Sequence, residues 1–226
     1  MHLVINDFLT PEELSEIGSS LLGADWRDGR VTAGYQSRQK KNNAQLEEGS
    51  PLARRLGEIV MARLERTPSF VSAALPLKMV PPLFNRYEVG ETYGDHIDGA
   101  IRAIPGSPLR VRNDLSATVF LADPDSYEGG ELVLHGEGGE TRFKLPAGSM
   151  LLYEAGCLHR VEPVTRGVRY ASFFWVQSMV RDRTHRELLF ELDNSIQRLA
   201  QERIDHPEVT PLTQHYHQLL RLWADT

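Results

Sequence analysis

The chain has 226 residues, of which 41% are hydrophobic and 25% charged, and it carries a formal net charge of −6 with a pI near 5.8. These values are typical of a folded globular protein and exclude the long basic field that general nucleic-acid binding requires. No apolar run approaches the roughly 20 residues that cross a bilayer, and the N-terminus lacks a basic, cleavable leader. We therefore expect neither a nucleic-acid nor a membrane partner.

Cysteine usage indicates a reducing compartment. Cys157 is the only cysteine, so no internal disulfide can form. Together with the missing leader, this predicts a cytoplasmic protein. By strand alternation Cys157 falls on the side of His159, where it either faces a pocket or fills a small buried space.

The first part of the chain contains two helix patterns. Thr10-Pro11-Glu12-Glu13 combines an N-cap, a proline in the first turn and a capping box, and the apolar stripe that follows ends at Gly23. Ser50-Pro51 starts a second helix in the same way, and Thr67-Pro68 closes it. The stripes consist of Leu14, Ile17, Leu21 and Leu22, and of Leu52, Leu56, Ile59, Val60 and Leu64. We expect both helices to brace the outside of a sheet.

Residues 26–45, between the two helices, are polar and have no helical period, which predicts extended or loop structure. From residue 77 onward the pattern changes to short strands separated by glycine- and proline-containing turns. The predicted strands cover residues 77–87, 116–121, 131–134, 141–145, 149–153, 158–161 and 168–178. Many short strands at this spacing favour a sandwich or barrel.

After residue 178 the strand pattern ends and a C-terminal helical hairpin is predicted. One helix covers residues 184–203, and Thr210-Pro211 opens the second. The apolar positions of the first helix are Leu188, Leu189, Leu192, Ile196 and Leu199, and those of the second are Leu212, Tyr216, Leu219, Leu220 and Trp223. These stripes have to be buried on the main domain or in a homodimer interface, and the sequence leaves both open. We expect a main domain of residues 1–180, with its core at about 77–178, and a helical segment of residues 181–226.

A metal-site pattern lies in the middle of the chain. His96 and Asp98 are two residues apart, so in an extended segment their side chains leave the same face. His159, on a distant predicted strand, is placed to supply a third ligand. Two imidazoles and one carboxylate leave the opposite face of an octahedral ion open, as in non-haem Fe(II) oxygenases. Taken singly, the same residues would be a surface hydrogen-bond pair and an unrelated core histidine.

Arg169 follows His159 by ten positions and starts a predicted strand. A guanidinium is always charged and grips a carboxylate with two parallel hydrogen bonds, so Arg169 suits an acidic cosubstrate. Small Ala171 on the same face leaves space for it. The alternative is a water-exposed arginine at a strand start. The other histidines lack partners at usable spacing, and surface or capping roles are expected for His2, His135, His185, His206, His215 and His217.

On His96-x-Asp98, His159 and Arg169 the chain resembles the Fe(II)/2-oxoglutarate dioxygenases, and within them the bacterial PKHD-type hydroxylases, which are prolyl 4-hydroxylase-like. Gly129-Gly130-Glu131-Leu132 and Pro146-x-Gly148-Ser149-Met150 reinforce the resemblance, which runs through most of the chain. It implies a mainly β fold with flanking helices, in which a double-stranded β-helix of the jelly-roll kind forms the dioxygenase domain and the C-terminal hairpin is added to it.

The resemblance also implies an activity. A hydroxylase of this kind uses Fe(II), 2-oxoglutarate and O2, with L-ascorbate as a helper, and couples decarboxylation of 2-oxoglutarate to succinate and CO2 with hydroxylation of a C–H bond. His96, Asp98 and His159 would be the metal ligands and catalytic residues. Arg169 would bind the 5-carboxylate of the cosubstrate, and Tyr87 rather than Tyr93 would donate its hydroxyl to it, unless Tyr87 only packs in the core. Halogenases of the superfamily lack the carboxylate ligand, so Asp98 favours hydroxylation.

The substrate stays open between a residue of a protein or peptide and a siderophore-like small molecule linked to bacterial iron uptake. Residues 26–45, which border the substrate entrance in the resembled family or form a solvated loop, and residues 101–114 are the expected rim. Arg102, Arg110 and Arg112 in the second segment either attract an anionic substrate or solvate a loop. Two alternatives to the hydroxylase are a non-catalytic module that senses iron or 2-oxoglutarate and a zinc-dependent cupin-like hydrolase or isomerase, which would have no use for Arg169.

Overall fold

The computed structural model describes residues 2–136, 138–203 and 205–226. Its helices are α1 Pro11–Leu22, α2 Pro51–Glu65, α3 Pro68–Ala74, α4 Arg183–Glu202 and α5 Val209–Trp223. Its strands are β1 His2–Ile5, β2 Trp26–Asp28, β3 Lys41–Asn42, β4 Ala44–Leu46, β5 Pro76–Met79, β6 Leu83–Tyr87, β7 Thr92–His96, β8 Ile101–Ala103, β9 Arg110–Arg112, β10 Leu115–Phe120, β11 Glu128–Gly129, β12 Leu132–Gly136, β13 Gly139–Phe143, β14 Met150–Glu154, β15 His159–Val161, β16 Val164–Arg166 and β17 Arg169–Ser178. Short 3-10 turns cover Gly29–Thr32, Ser37–Lys40 and Pro124–Ser126.

Two antiparallel sheets form the double-stranded β-helix that the sequence predicts. The larger sheet has the order β1-β14-β10-β17-β6-β4-β2, with β5 also on β17, and the smaller has the order β13-β12-β15-β7-β3. Side chains from both sheets share one interior core, in which Phe120 and Leu151 of the larger sheet join Leu132, Leu134 and Val161 of the smaller. The cavity described below therefore opens between the sheets.

Helices α1 to α3 cover the outer face of the larger sheet, as the sequence predicts for the first two. Ile17 and Leu56 are buried in one cluster with Phe174 of β17, and the rings of Phe70 and Phe174 meet edge to face at 6.4 Å. Thr10 caps α1 with the predicted capping box. Leu22 is the exception in its stripe: it is 77% exposed, because it lies one residue and thus about 100° beyond buried Leu21.

Several boundaries differ from the sequence prediction. The strand predicted at residues 77–87 is two strands, β5 and β6, because Pro81-Pro82 interrupts the ladder. Pro68, predicted to close α2, also occupies the first turn of α3. The N–H that proline lacks would have no helical partner at this position, so no hydrogen bond is lost. The β8–β9 hairpin and the β11–β16 pair were not predicted, because their strands have only two or three residues.

The C-terminal helices form the predicted hairpin, in which α4 buries Leu189 and Ile196 whereas the inner residues of α5 are only partly buried. Leu189 of α4 packs with Leu75 and Val180, and Tyr216 and Trp223 of α5 lie against the same cluster. The homodimer stays a prediction. Among the described residues, no helix combines the length and apolarity needed to cross a membrane.

Arg186 ties α4 to the barrel through buried charge. Its side chain is only 2% exposed, and its Nη2 donates to Glu154 Oε2 of β14 at 2.7 Å. Its Nη1 donates to the carbonyl oxygens of Val180 and Arg181 at 2.9 and 2.8 Å. Burial raises the pKa of the Glu154 carboxyl, and the guanidinium opposes that rise. The guanidinium therefore offsets part of the cost of burying this carboxylate.

Substituting Arg186→Leu should lower the free energy of unfolding by about 3 kcal/mol, because Glu154 is left as an uncompensated buried charge. Urea denaturation followed by circular dichroism measures the change. Arg198→Leu, on an exposed turn of the same helix, is the matched control and should stay within about 0.5 kcal/mol of wild type. Equal effects of the two substitutions would contradict a structural role for the pair.

Candidate metal centre

The structure brings His96, Asp98 and His159 together. His96 is the last residue of β7 and lies directly opposite His159, the first residue of β15, in the antiparallel register. One ligand atom from each of the three residues lies within 4.8 Å of the others. Nε2 of His96 is 4.0 Å from Asp98 Oδ1, and Nε2 of His159 is 3.9 Å from Asp98 Oδ2. Asp98 itself stands just after the strand rather than on it.

Backbone carbonyls orient both imidazole rings. Nδ1 of His96 contacts Gly94 O at 2.8 Å, and Nδ1 of His159 contacts Cys157 O at 2.9 Å. A carbonyl only accepts, so Nδ1 carries the proton and donates, which leaves the lone pair of Nε2 facing Asp98. Fixing the tautomer through the second nitrogen is the usual way in which proteins prepare a histidine for a metal.

Burial, reinforced by the neighbouring His159, lowers the pKa of His96 to about 4. The ring is therefore neutral at physiological pH. A neutral imidazole is the form that binds a metal ion, because the cationic form has no free lone pair.

Two side chains that sequence reasoning missed hold the Asp98 carboxylate. Ser116 Oγ and Trp175 Nε1 both donate to Asp98 Oδ2, at 2.7 and 2.9 Å. Ser116 of β10 and Trp175 of β17 are cross-strand neighbours. Extending the alternation of Arg169, Ala171 and Phe173 by one step would have placed Trp175 on the same inward face. The two bonds fill one oxygen and leave Oδ1 for a ligand.

The donor set fits Fe(II). Two imidazole nitrogens and one carboxylate oxygen approach from one side, and a cavity of about 250 Å³ lies beside them. This set with open positions suits non-haem iron. Within the described residues, these three form the group of histidine, cysteine and acidic side chains that could hold a metal ion.

Arg169 is buried in the same cavity and is 2% exposed, so the alternative of a water-exposed arginine is wrong. Its guanidinium lies over the rings of Tyr87 and Phe120, at 5.3 and 5.6 Å. Its Nε has no hydrogen-bond partner, and no carboxylate among the described residues forms an ion pair with it. A buried cation is costly unless it is paired. The site therefore fits an acid that arrives from outside.

The double glycine of the sequence motif makes room for Arg169. Gly130 adopts a φ of +68°, and a Cβ built there would lie 3.1 Å from Arg169 Cδ. A larger residue at Gly130 would both strain the backbone and push the guanidinium out of place.

Tyr87 and Tyr93 line different ends of the cavity. Tyr87 of β6 pairs with Arg169 in the ladder, and burial raises the pKa of its hydroxyl, so it stays a hydrogen-bond donor. Tyr93 instead stacks its ring on that of His96, with centroids 3.5 Å apart. A molecule bound by Arg169 would meet Tyr87, and one bound near the metal would meet Tyr93.

Both predicted rim segments reach the cavity. Thr32, Ser37 and Lys41 line it from the first segment, and Ile101 and Arg102 line it from the second. Arg112 does not take part, since it is bound to Asp114 at 2.7 Å, and Arg110 is exposed.

Residues outside the triad show no comparable arrangement in the described chain. His135 contacts Asp95 at 3.0 Å, a contact between neighbouring parts of the smaller sheet that sequence spacing could not reveal. Cys157 does not line the cavity and directs its Sγ to the carbonyl of His135. It is therefore a packing residue.

Comparisons with known proteins agree with this geometry. A family profile described as the 2OG-Fe(II) oxygenase superfamily matches residues 82–177, and one described as the PKHD-type hydroxylase C-terminal domain matches residues 184–225. A PKHD-type hydroxylase of Janthinobacterium sp. (strain Marseille) is 55% identical over 99% of both chains. Another, from Bordetella pertussis, is 53% identical over 100% of both. The chain belongs to the PKHD-type hydroxylases.

Solved structures confirm the jelly-roll fold of this PKHD-type hydroxylase. A prolyl-4-hydroxylase of Pseudomonas putida aligns with a TM-score of 0.54 at 15% identity, covering 78% of this chain and 92% of the other. A prolyl hydroxylase of Trichoplax adhaerens aligns with a TM-score of 0.58 at 18% identity, covering 81% and 86%. Membership of the superfamily makes this protein a non-haem iron dioxygenase, which implies Fe(II) as its metal cofactor and 2-oxoglutarate and O2 as its cosubstrates.

The metal-free hydroxylase should lose stability as the pH falls from about 6.5, the ordinary histidine value, towards about 4, the value for folded His96. In that range the unfolded chain binds a proton that folded His96 does not, so the free energy of unfolding falls by up to about 3 kcal/mol. Urea denaturation of chelator-treated protein at a series of pH values measures how the free energy of unfolding changes with pH. His96→Gln should flatten this slope, whereas the exposed control His215→Gln should not. A slope unchanged by His96→Gln would contradict the assignment.

Proposed function

We propose that this hydroxylase couples decarboxylation of 2-oxoglutarate to succinate and CO2 with hydroxylation of a C–H bond, and that His96, Asp98 and His159 bind its Fe(II). The supporting observation is that the triad shares one cavity with Arg169, a buried cation without a carboxylate partner among the described residues. Iron, the 2-oxo acid and O2 supply the oxidising chemistry when they are bound.

Arg169 binds the 5-carboxylate of 2-oxoglutarate in this proposal. Its fork can donate two parallel hydrogen bonds to that group, and the neighbouring Tyr87 hydroxyl adds a third donor. The aromatic rings of Tyr87 and Phe120 around the guanidinium exclude water and so strengthen the charge pairing.

Asp98 favours hydroxylation over halogenation in this proposal. Ser116 and Trp175 hold its carboxylate in place, so the third ligand position is occupied by the protein and is closed to a halide. L-Ascorbate is part of the proposal as the reductant that restores oxidised iron. Residues 1–180 form the catalytic domain and residues 181–226 the C-terminal segment, in a protein that we place in the cytoplasm.

The substrate is a small molecule or a residue of a peptide. The Trichoplax adhaerens prolyl hydroxylase was solved with a peptide fragment of hypoxia inducible factor, which supports a peptide. The cavity of about 250 Å³ admits a single side chain or a small compound equally well. A siderophore-like substrate would link the enzyme to bacterial iron uptake.

Anaerobic titration of the Fe(II)-loaded protein with 2-oxoglutarate tests the site. Wild type should develop the visible charge-transfer band of a chelated 2-oxo acid. Arg169→Ala should need at least about tenfold more 2-oxoglutarate for half of the band, because a charge-assisted bidentate contact is lost. Arg166→Ala, an exposed arginine three residues earlier, should match wild type. A loaded, folded wild type without the band, or an unchanged Arg169→Ala, would overturn the assignment.

Succinate release separates the hydroxylase from a module that only senses iron or 2-oxoglutarate. We expect O2-dependent succinate in wild type and a loss of at least about 100-fold in Asp98→Ala, which removes a ligand. Circular dichroism controls for folding. A protein that shows the band but releases no succinate with O2 would favour the sensor.

A further inference from the structure

Lys41 is a buried ammonium in the wall of the cavity. Lys41 is 5% exposed and lines the same cavity as His96 and Arg169. Its Nζ donates to Thr32 Oγ1 at 2.9 Å. When the Gln45 amide is turned to satisfy its neighbours, its oxygen accepts from Nζ at 3.2 Å. No carboxylate in the described part of the chain forms an ion pair with Lys41, so its hydrogen-bond partners are neutral oxygens. The carboxylates of Asp98 and Asp28 act on its charge only from a longer distance.

The ammonium lies close to the metal centre. Its Nζ is 5.1 Å from the centroid of the Tyr93 ring, and that ring is stacked on His96 with centroids 3.5 Å apart. On its other side it faces the ring of Phe173 at 5.9 Å. A group bound to Lys41 would therefore belong to a molecule whose other atoms reach the triad.

Lys41 and Arg169 serve different positions in the cavity. Lys41 faces Phe173, which stands four residues after Arg169 on β17, or roughly 13 Å along the strand at about 3.3 Å per residue. Arg169 instead lies among Tyr87 and Phe120. The two cations therefore have different surroundings, and the proposed function pairs the far carboxylate of 2-oxoglutarate with Arg169. If Arg169 holds the cosubstrate, Lys41 is left for a second ligand.

Arg102 adds positive charge beside Lys41. Its Nη2 binds Glu48 Oε2 at 2.7 Å, and its guanidinium lies 4.9 Å from the ring of Trp175. Its buried Nε has no partner. Burial, together with the Arg102 charge, lowers the pKa of Lys41 to about 8. An anion between the two side chains would relieve both effects.

A purely structural role does not require this charge. A neutral amide could bond to Thr32 as well as an ammonium does, without the desolvation that a buried cation suffers. The two aromatic faces compensate only in part, since a cation–π contact does not replace the full hydration of an ammonium.

We propose that Lys41 is a specificity-determining residue that binds a carboxylate of the organic substrate, with Arg102 as the supporting charge. This inference rests on the proposed function, because it assigns Arg169 to the cosubstrate. It narrows the substrate to an acid that presents its oxidisable carbon to the triad while its carboxylate pairs with Lys41.

The test uses protein with Zn(II) in place of Fe(II) and saturating 2-oxoglutarate, so that no turnover occurs and Arg169 is filled. The probes are N-acetyl amino acids and their carboxamides, compared pair by pair through ligand-observed NMR. Wild type should bind several acids at least about tenfold more tightly than their amides. Matched aliphatic phosphates and sulfates show whether a carboxylate or any anionic oxygen group is preferred.

Lys41→Met should lose the preference for acids, and Lys41→Arg should keep part of it. Lys41→Gln, which retains a donor for Thr32, is the second variant should the methionine disturb folding. Lys40→Met makes the same charge change at the exposed neighbouring residue and should leave the preference intact. A wild type that binds both members of every pair equally, or neither, overturns the inference, as does a preference that survives in both Lys41→Met and Lys41→Gln.

The 2-oxoglutarate charge-transfer band of the Fe(II) form separates this inference from the proposed function. If wild type shows no band, the proposed function fails whatever Lys41 does. If the band forms normally in wild type and in Lys41→Gln but acids are not preferred, the inference about Lys41 fails alone. A band that survives in Lys41→Gln together with a lost acid preference supports both.

Discussion

The pairing of β7 with β15 is the constraint on which the candidate centre depends. It sets His96 opposite His159, and the backbone carbonyls of Gly94 in β7 and of Cys157 just before β15 fix both rings with Nε2 turned inward. Because side chains alternate along a strand, a slip of one residue in this pairing would send His159 to the other face. The register is secured by the core residues that the two sheets share, such as Leu132 and Val161. Packing of the core beside the cavity therefore helps to determine the geometry of the centre.

Buried cations without carboxylate partners in the described chain are the second organising feature. Arg169 and Lys41 would each be more stable beside an anion, yet the barrel encloses them with aromatic rings and neutral oxygens. This contrasts with Arg186, which is just as buried but has Glu154 as its partner. In the proposed function the unpaired charge of Arg169 is the one that binds a ligand, and leaving it unpaired costs stability.

Sequence patterns that act within a few residues predicted the helices and strands. Contacts between segments that are distant in sequence were not predicted. The capping box at Thr10 and the apolar stripes predicted the helices because they act within a few residues. The spacing of His96, Asp98, His159 and Arg169 predicted four residues that the structure brings to one cavity. Trp175 and Ser116 were missed because they meet Asp98 across 77 and 18 residues of chain. Lys41 was missed because lysine in a polar segment is normally exposed. It is buried where β3 pairs with β7, a contact between segments that are distant in sequence.

The cavity is lined by two kinds of structure, paired strands and short irregular segments. The triad and Arg169 stand on or beside strands within the sheets, whereas the wall that carries Lys41 consists of 3-10 turns and the two-residue strand β3. Short elements tolerate changes in sequence better than paired strands do, because fewer ladder bonds depend on them. Lys41 contacts the ring of Tyr93, which is stacked on His96. Its charge acts on His96 and Asp98 from a distance, without an ion pair among the described residues. A substitution in this wall can therefore change which molecule is bound while the ligands of the metal keep their places.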